Sequence, residues 1–204
     1  MLTLYDFLFS GNGYRVRLAL RELDIPFVYR QVDLLAGETR KPWFLEKNPA
    51  GQIPVLELDD GTCLQESSAI LGFLAEGTQL LPTEKLQRTR VLQWLCFEQT
   101  NIDGVISRAR FRRKFPDVVA TRPEEFDVWL REGNRALRVL DEHLRSRAFM
   151  VGESLSIADL ALYSYVHRAE DGGFDLGPFS ALHSWFGRIE ARPRHIAIDV
   201  APSC

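Results

Sequence analysis

"NPAGQIPVLEL", residues 48–58, runs straight into "DDGT", residues 59–62. Asn-Pro and Ala-Gly mark a turn, and the residues around 54–58 read as a short strand. Asp-Asp-Gly-Thr is a hairpin signal, and "CLQ" (63–65) behind it supplies the returning strand. A hairpin here decides the fold, because it stops the chain from adding further parallel strand and helix units.

Upstream, "LTLYDF" (2–7) reads as a strand, and residues 14–23 carry a helical apolar stripe of Val16, Leu18, Ala19, Leu20 and Leu23. "FVYRQVDL" (27–34) alternates for much of its length and makes a second strand, and "AGETRKPWFLEK" suggests a loop with one or two helical turns. Downstream, "ESSAILGFLAEG" has a polar start, an apolar middle and a glycine stop, which is a helix. The order β-α-β, loop, β-β-α occupies residues 1–78, and after "TQLLPTE" helical patterns dominate 85–204. The expected architecture is a small α/β domain followed by an all-helical one. In "LSIADL", Ser156 and Asp159 fit a capping box with Leu155 and Leu160 as its staple, a structural role for Asp159.

The bulk numbers narrow the function. With 204 residues, 46% hydrophobic and 26% charged, the chain has the composition of an ordinary globular protein. A net charge of -3 offers no field for nucleic acid, no apolar run reaches the length of a membrane span, and "MLTLYDF" lacks the pattern of a secretory leader. A cytoplasmic location is the expectation. Cys63, Cys96 and Cys204 are odd in number and far apart, and His143, His167, His183 and His195 show no ligand spacing, so neither a disulfide framework nor a metal site is expected.

"FSGNGYRVRL", residues 9–18, is the candidate reactive turn. Gly11 and Gly13 begin a dinucleotide fingerprint, but Val16 stands where a third glycine belongs, and no Gly-Lys-Ser/Thr follows for a P-loop. A helix N-terminus with free N–H groups, the Ser10 hydroxyl and the Asn12 amide suits a thiolate brought by a ligand. Taken alone, Ser10 and Asn12 are equally the residues of an ordinary helix cap.

Three motifs together give a resemblance. "NPAGQIPVL", "QESSAIL" and "SIADL" are similar to stretches of the cytosolic glutathione transferases, bacterial members with "SGN" in the first turn above all. The resemblance covers essentially the whole chain. It implies a thioredoxin-like N-terminal domain, an all-α C-terminal domain and glutathione as co-substrate, without a metal. By that resemblance Pro54 is cis, and Ile53 offers its backbone to the cysteinyl residue of glutathione. Glu66 and Ser67 hold the γ-glutamyl end. Gln52 stands where relatives place a basic residue for the glycyl carboxylate, with Thr39 or Lys41 as possible help. Ser10 is the first choice for activating the thiol and Asn12 the second; Tyr5 lies too early in its strand, and Tyr14 is a neighbouring contact.

The same resemblance places a small electrophile near Leu8 and Phe9 on one side and Arg108, Phe111, Arg112 and Tyr163 on the other. "SRARFRRKF" (107–115) is a basic helical run that reads either as a solvated face or as a site for an anionic group. The implied protein is a homodimeric detoxification enzyme conjugating glutathione to electrophiles. A glutathione-dependent disulfide reductase or isomerase, and a non-catalytic protein-interaction module, stand as alternatives.

Overall fold

The computed structural model describes residues 1–118 and 122–202. The chain divides into two compact units, one made of Met1–Glu76 together with the stretch beginning at Pro193, the other of Gly77–Arg192. The sequence reading assigns 85–204 to the helical domain, whereas here residues 193–202 group with the first unit.

In the first unit the elements are β1 (Leu2–Asp6), α1 (Gly11–Glu22), β2 (Phe27–Gln31), α2 (Pro42–Leu45), β3 (Val55–Glu57), β4 (Cys63–Leu64) and α3 (Ser67–Ala75). The strands form one mixed sheet in the order β2-β1-β3-β4. β1 and β2 are parallel with Leu4 opposite Tyr29, while β3 is antiparallel to β1, Leu4 opposite Leu56, and to β4, Leu56 opposite Leu64. Because side chains alternate along a strand, the two faces separate cleanly. Tyr5 and Val55 join Val32, Phe44 and Ile53 on one face. Leu4 and Asp6 turn to the other, where Asp6 meets Arg17 of α1. α1 in turn packs against α3.

α1 begins at Gly11, three residues before the apolar stripe suggests, because Ser10 caps it: its Oγ accepts from Gly13 N at 3.2 Å. α3 stops before Gly77, whose φ of 73° only glycine adopts at little cost.

The second unit contains α4 (Lys85–Glu98), α5 (Arg108–Lys114), α6 (Pro123–Leu144), α7 (Ile157–Val166) and α8 (Ser180–Glu190). α4 and α5 are joined by a π-helical stretch, Gln99–Ser107. Its polar start explains the loosened winding, since Thr100 Oγ1 and Asn101 Nδ2 donate back to the carbonyls of Cys96 and Phe97 at 3.0 and 3.1 Å. α7 is buried along its whole length and forms the centre of this unit. Its start is the expected capping box: Asp159 Oδ2 accepts from Ser156 N and Ser156 Oγ at 2.9 and 2.7 Å, and the staple residues Leu155 and Leu160 are both buried. Asp159 Oδ1 also accepts from Met150 N and Trp185 Nε1, which ties three segments together.

The architecture is therefore a thioredoxin-like α/β domain and an all-α domain. Cys63 and Cys96 are free thiols, and Cys204 lies outside the described residues. No helix among the described residues is long and apolar enough to cross a membrane.

Candidate functional site

Four segments of the first unit carry the candidate groups, two of them joined by a hydrogen bond between Ser67 and Asn12. The first is the turn before α1. Ser10 N donates to Phe7 O at 2.7 Å, and Ser10 O accepts from Tyr14 N at 2.9 Å, so both main-chain ends of Ser10 are held. With its Oγ accepting from Gly13 N, the hydroxyl hydrogen is left to donate outward. α1 has no acidic side chain of its own in its first turn, and the Asp6 carboxyl that abuts Gly13 is paired with Arg17.

Asn12 is linked to the second segment. Ser67 Oγ donates to Asn12 Oδ1 at 3.3 Å and accepts from Arg15 Nη1 at 3.3 Å. Spending the carbonyl of Asn12 on Ser67 leaves its amide N–H groups as the donors that remain. Ser67 opens α3, and Glu66 before it has φ 63° and ψ 105°, a backbone conformation that is costly for a residue with a side chain. The Glu66 side chain makes no cap bond, so the first N–H groups of α3 stay open to a ligand carboxylate.

The third segment is the loop carrying Gln52, Ile53 and Pro54. The Ile53–Pro54 peptide is cis. Asn48 builds this loop from beneath, its Nδ2 donating to Gln52 O at 2.7 Å and its Oδ1 accepting from Ala50 N at 3.0 Å. Gly51 has φ 64°, and a Cβ there would lie 2.6 Å from Arg40 Nη1 and 2.9 Å from Thr39 O, so the position takes no larger residue. The Gln52 side chain is exposed. Thr39 is buried, while Lys41 is exposed beside Glu38 at 3.8 Å, which leaves Lys41 the more accessible of the two. The fourth segment is the short stretch Leu8–Phe9 leading into Ser10; the Phe9 ring is 38% exposed and packs edge-on against Phe7.

Tyr5 is committed elsewhere. Its hydroxyl donates to Glu57 at 2.8 Å, and burial, then this carboxylate, pushes its pKa above the usual tyrosine range. Tyr14 is fully buried and donates to Ile196 O at 2.6 Å.

In the second unit, Arg108 is exposed and Phe111 and Arg112 are half-buried on the same helical stretch. Tyr163 is interior: it is 1% exposed, its hydroxyl donates to Glu190 at 3.0 Å, and its ring stacks on His167. The basic run is less uniform than its sequence suggests. Arg110 is buried against Asp171 at 3.4 Å, and Arg113 lies over the Phe126 ring at 5.7 Å. Burial lowers the Arg110 pKa, with Tyr165 and Asp171 pulling it back. Of the four arginines, Arg108 and Arg113 are exposed, Arg112 is half-buried and Arg110 is buried.

Sequence reasoning passed over Arg15 and the Asp6–Arg17 pair, all three wholly buried. The one signal for them was charge at positions of β1 and α1 whose neighbours are apolar.

The N-terminal glutathione S-transferase domain matches residues 4–79 and the C-terminal glutathione S-transferase domain residues 102–193. The chain is 32% identical over 201 residues to the disulfide-bond oxidoreductase YfcG of Escherichia coli, covering 95% of this chain and 92% of that protein. It is 36% identical over 179 residues to maleylacetoacetate isomerase of Rhizobium meliloti, covering 85% and 84%. A crystal structure of a glutathione S-transferase from Pseudomonas fluorescens superposes with a TM-score of 0.93 at 45% identity, over 97% of this chain and 98% of that one. The chain belongs to the glutathione S-transferase family.

Proposed function

We propose that the protein is a glutathione transferase, binding reduced glutathione in its first unit and activating the thiol at Ser10. The observation that carries this reading is the pair of unspent donors at one helix start: the Ser10 hydroxyl, fixed by Gly13 N, and the Asn12 amide, whose carbonyl is held by Ser67. A thiol near pKa 8.5 is mostly protonated at neutral pH. One charge-assisted hydrogen bond plus the helix terminus lowers that by about one to two units. Ser10 ranks first because accepting from Gly13 N polarises its O–H as a donor.

The γ-glutamyl carboxylate sits at the open N–H groups that begin α3 at Ser67, with Glu66 beside the amino group. The cysteinyl main chain pairs with Ile53 before Pro54, and the glycyl end lies toward Gln52 and Lys41. The thiol proton passes to solvent, and the sulfur attacks an electrophilic carbon. A C–S bond forms, and the leaving group departs with its electron pair. The exposed Phe9 beside Ser10 favours an apolar or aromatic acceptor. The working form is a cytoplasmic homodimer serving detoxification.

A second reading, glutathione-dependent disulfide reduction or isomerisation, is favoured by the similarity to the oxidoreductase and isomerase relatives. Retention on immobilised glutathione, followed by assays with an electrophile panel and a disulfide, separates the two. Retention with conjugation supports the transferase. Retention with disulfide reduction alone supports the second reading, and absence of retention overturns both.

A further inference from the structure

We propose that the C-terminal stretch from Pro193 braces the first turn through Arg17, and that Arg17 is a positioning residue for Ser10. The catalytic half of this statement rests on the function proposed above; the brace itself does not.

The guanidinium of Arg17 is wholly buried at a junction of three segments. Its Nε lies 3.1 Å from Asp6 Oδ2, at the end of β1. Nη2 donates to Leu8 O at 2.5 Å, two residues before Ser10. Nη1 donates to Ile198 O and Val200 O at 3.1 and 3.3 Å. The other face of the same turn is held from the same pair, because Asp6 Oδ1 accepts from Phe7 N at 2.7 Å and Phe7 O accepts from Ser10 N. Each main-chain group from Phe7 to Ser10 that these bonds engage is thereby referred back to Asp6 and Arg17.

The C-terminal stretch is laced to α1 at two further points. Tyr14, whose N–H bonds the carbonyl of Ser10, donates its hydroxyl to Ile196 O at 2.6 Å with His195 Nε2 at 3.2 Å. Arg194 pairs with Asp24, just past the end of α1, at 2.7 Å. Gly13 completes the fit, since any Cβ there would overlap the Asp6 carboxylate that Arg17 holds.

A buried guanidinium keeps its position only while its donors are met. Two of its acceptors come from the C-terminal stretch, so losing them leaves Nη1 unsatisfied in the interior. The group must then shift toward water or toward Leu8 and Asp6, and either movement changes the turn that aims the Ser10 hydroxyl. Hydrogen-bond strength falls steeply with misalignment, so a small displacement at Ser10 is felt in thiol ionisation before it is felt in overall folding.

Two variants test this. A chain ending at Ala197 removes the Ile198 and Val200 acceptors while leaving Asp6 and Arg17 in place; Arg17→Lys keeps the charge but loses the planar fork. Hydrogen–deuterium exchange over residues 7–14 is measured in both, together with the ultraviolet titration of bound glutathione and kcat against KM. The expected result is exchange faster by about tenfold in that segment, and a thiol ionisation raised by about half a unit or more. The KM for glutathione should stay within about twofold. Unchanged exchange in the shortened chain overturns the brace. Faster exchange with unchanged thiol ionisation overturns the positioning role. If the unaltered protein does not lower the thiol ionisation of glutathione at all, the transferase reading fails, and the exchange measurement still decides the brace. Should Arg17→Lys not fold, the shortened chain carries the test by itself.

Discussion

Asp6 and Arg17 form a wholly buried ion pair, carboxylate Oδ2 to guanidinium Nε at 3.1 Å, beneath the turn that carries Ser10. Burial pushes the Asp6 pKa up to about 7, against the pull of Arg17 and the Phe7 N–H. The carboxyl therefore binds its proton more tightly in the folded chain than in the unfolded one. Its contribution to stability is fully present below about pH 4 and is lost as pH rises through about 7. Urea midpoints of the unaltered protein and Asp6→Asn between pH 5 and 8 check this. Their stability difference should change by about 1.4 kcal/mol per pH unit below pH 7 and level off above it. A difference that is flat from pH 5 to 8 contradicts the raised pKa.

Gly13→Ala tests the close approach of α1 to that pair. In an open helix, alanine gains about 1 kcal/mol over glycine. Here the new methyl overlaps the Asp6 carboxylate, which has no room to retreat. A net loss of about 1–3 kcal/mol is expected in chemical denaturation, and Gly13→Ala should cost less when added to Asp6→Ser than when added to the unaltered chain. Equal losses with and without the Asp6 change would place the clash elsewhere.

Ser10→Ala removes the donor that the proposed mechanism ranks first. Bound glutathione should then ionise about one unit higher in pH. Asn12→Ala should shift it less, because Asn12 is also held by Ser67. Ultraviolet titration of the bound thiolate compares the two, and a larger shift for Asn12→Ala reverses the ranking.

Glu66→Gly separates strain from binding. Glu66 holds φ 63°, which glycine adopts freely, so the glycine variant should be as stable as the parent or more so, by about 0.5–1 kcal/mol. Its KM for glutathione should nevertheless rise, since the proposed function puts the Glu66 side chain beside the γ-glutamyl amine. Calorimetry and steady-state kinetics on one preparation give both numbers; an unchanged KM would remove Glu66 from the site.

Asp159 accepts four hydrogen bonds in the interior of the second unit, from Met150 N, Ser156 N, Ser156 Oγ and Trp185 Nε1. Asp159→Ala strands those donors and should cost about 3 kcal/mol or more. Asp159→Asn, which keeps an acceptor, should cost less. Thermal unfolding distinguishes them, and a neutral alanine variant would show that the box adds nothing.

The site was legible in the sequence in unequal parts. Ser10 is a candidate from its place at a helix start, while Ile53, Pro54, Glu66 and Ser67 are candidates through the motifs "NPAGQIPVL" and "QESSAIL" and the resemblance they carry. Tyr163 enters the electrophile site by resemblance alone, whereas "ALYSYVH", with no polar face, reads as a buried helix, and the structure puts Tyr163 in the interior. The basic run looked uniform, yet Arg110 and Arg113 are taken up by Asp171 and Phe126, residues that only folding brings near.

By itself the sequence determined the order of strands and helices, the hairpin after residue 58, the capping of α1 and α7 and the family. These depend on periodicity, turn residues and caps, which act over a few positions. Only the tertiary structure decided that Asn12 meets Ser67, 55 positions on, and that Arg17 meets Ile198, 181 positions on. Such pairs form because a polar group carried into the interior by its neighbours' burial must find a partner there, and which one it finds depends on how the elements pack.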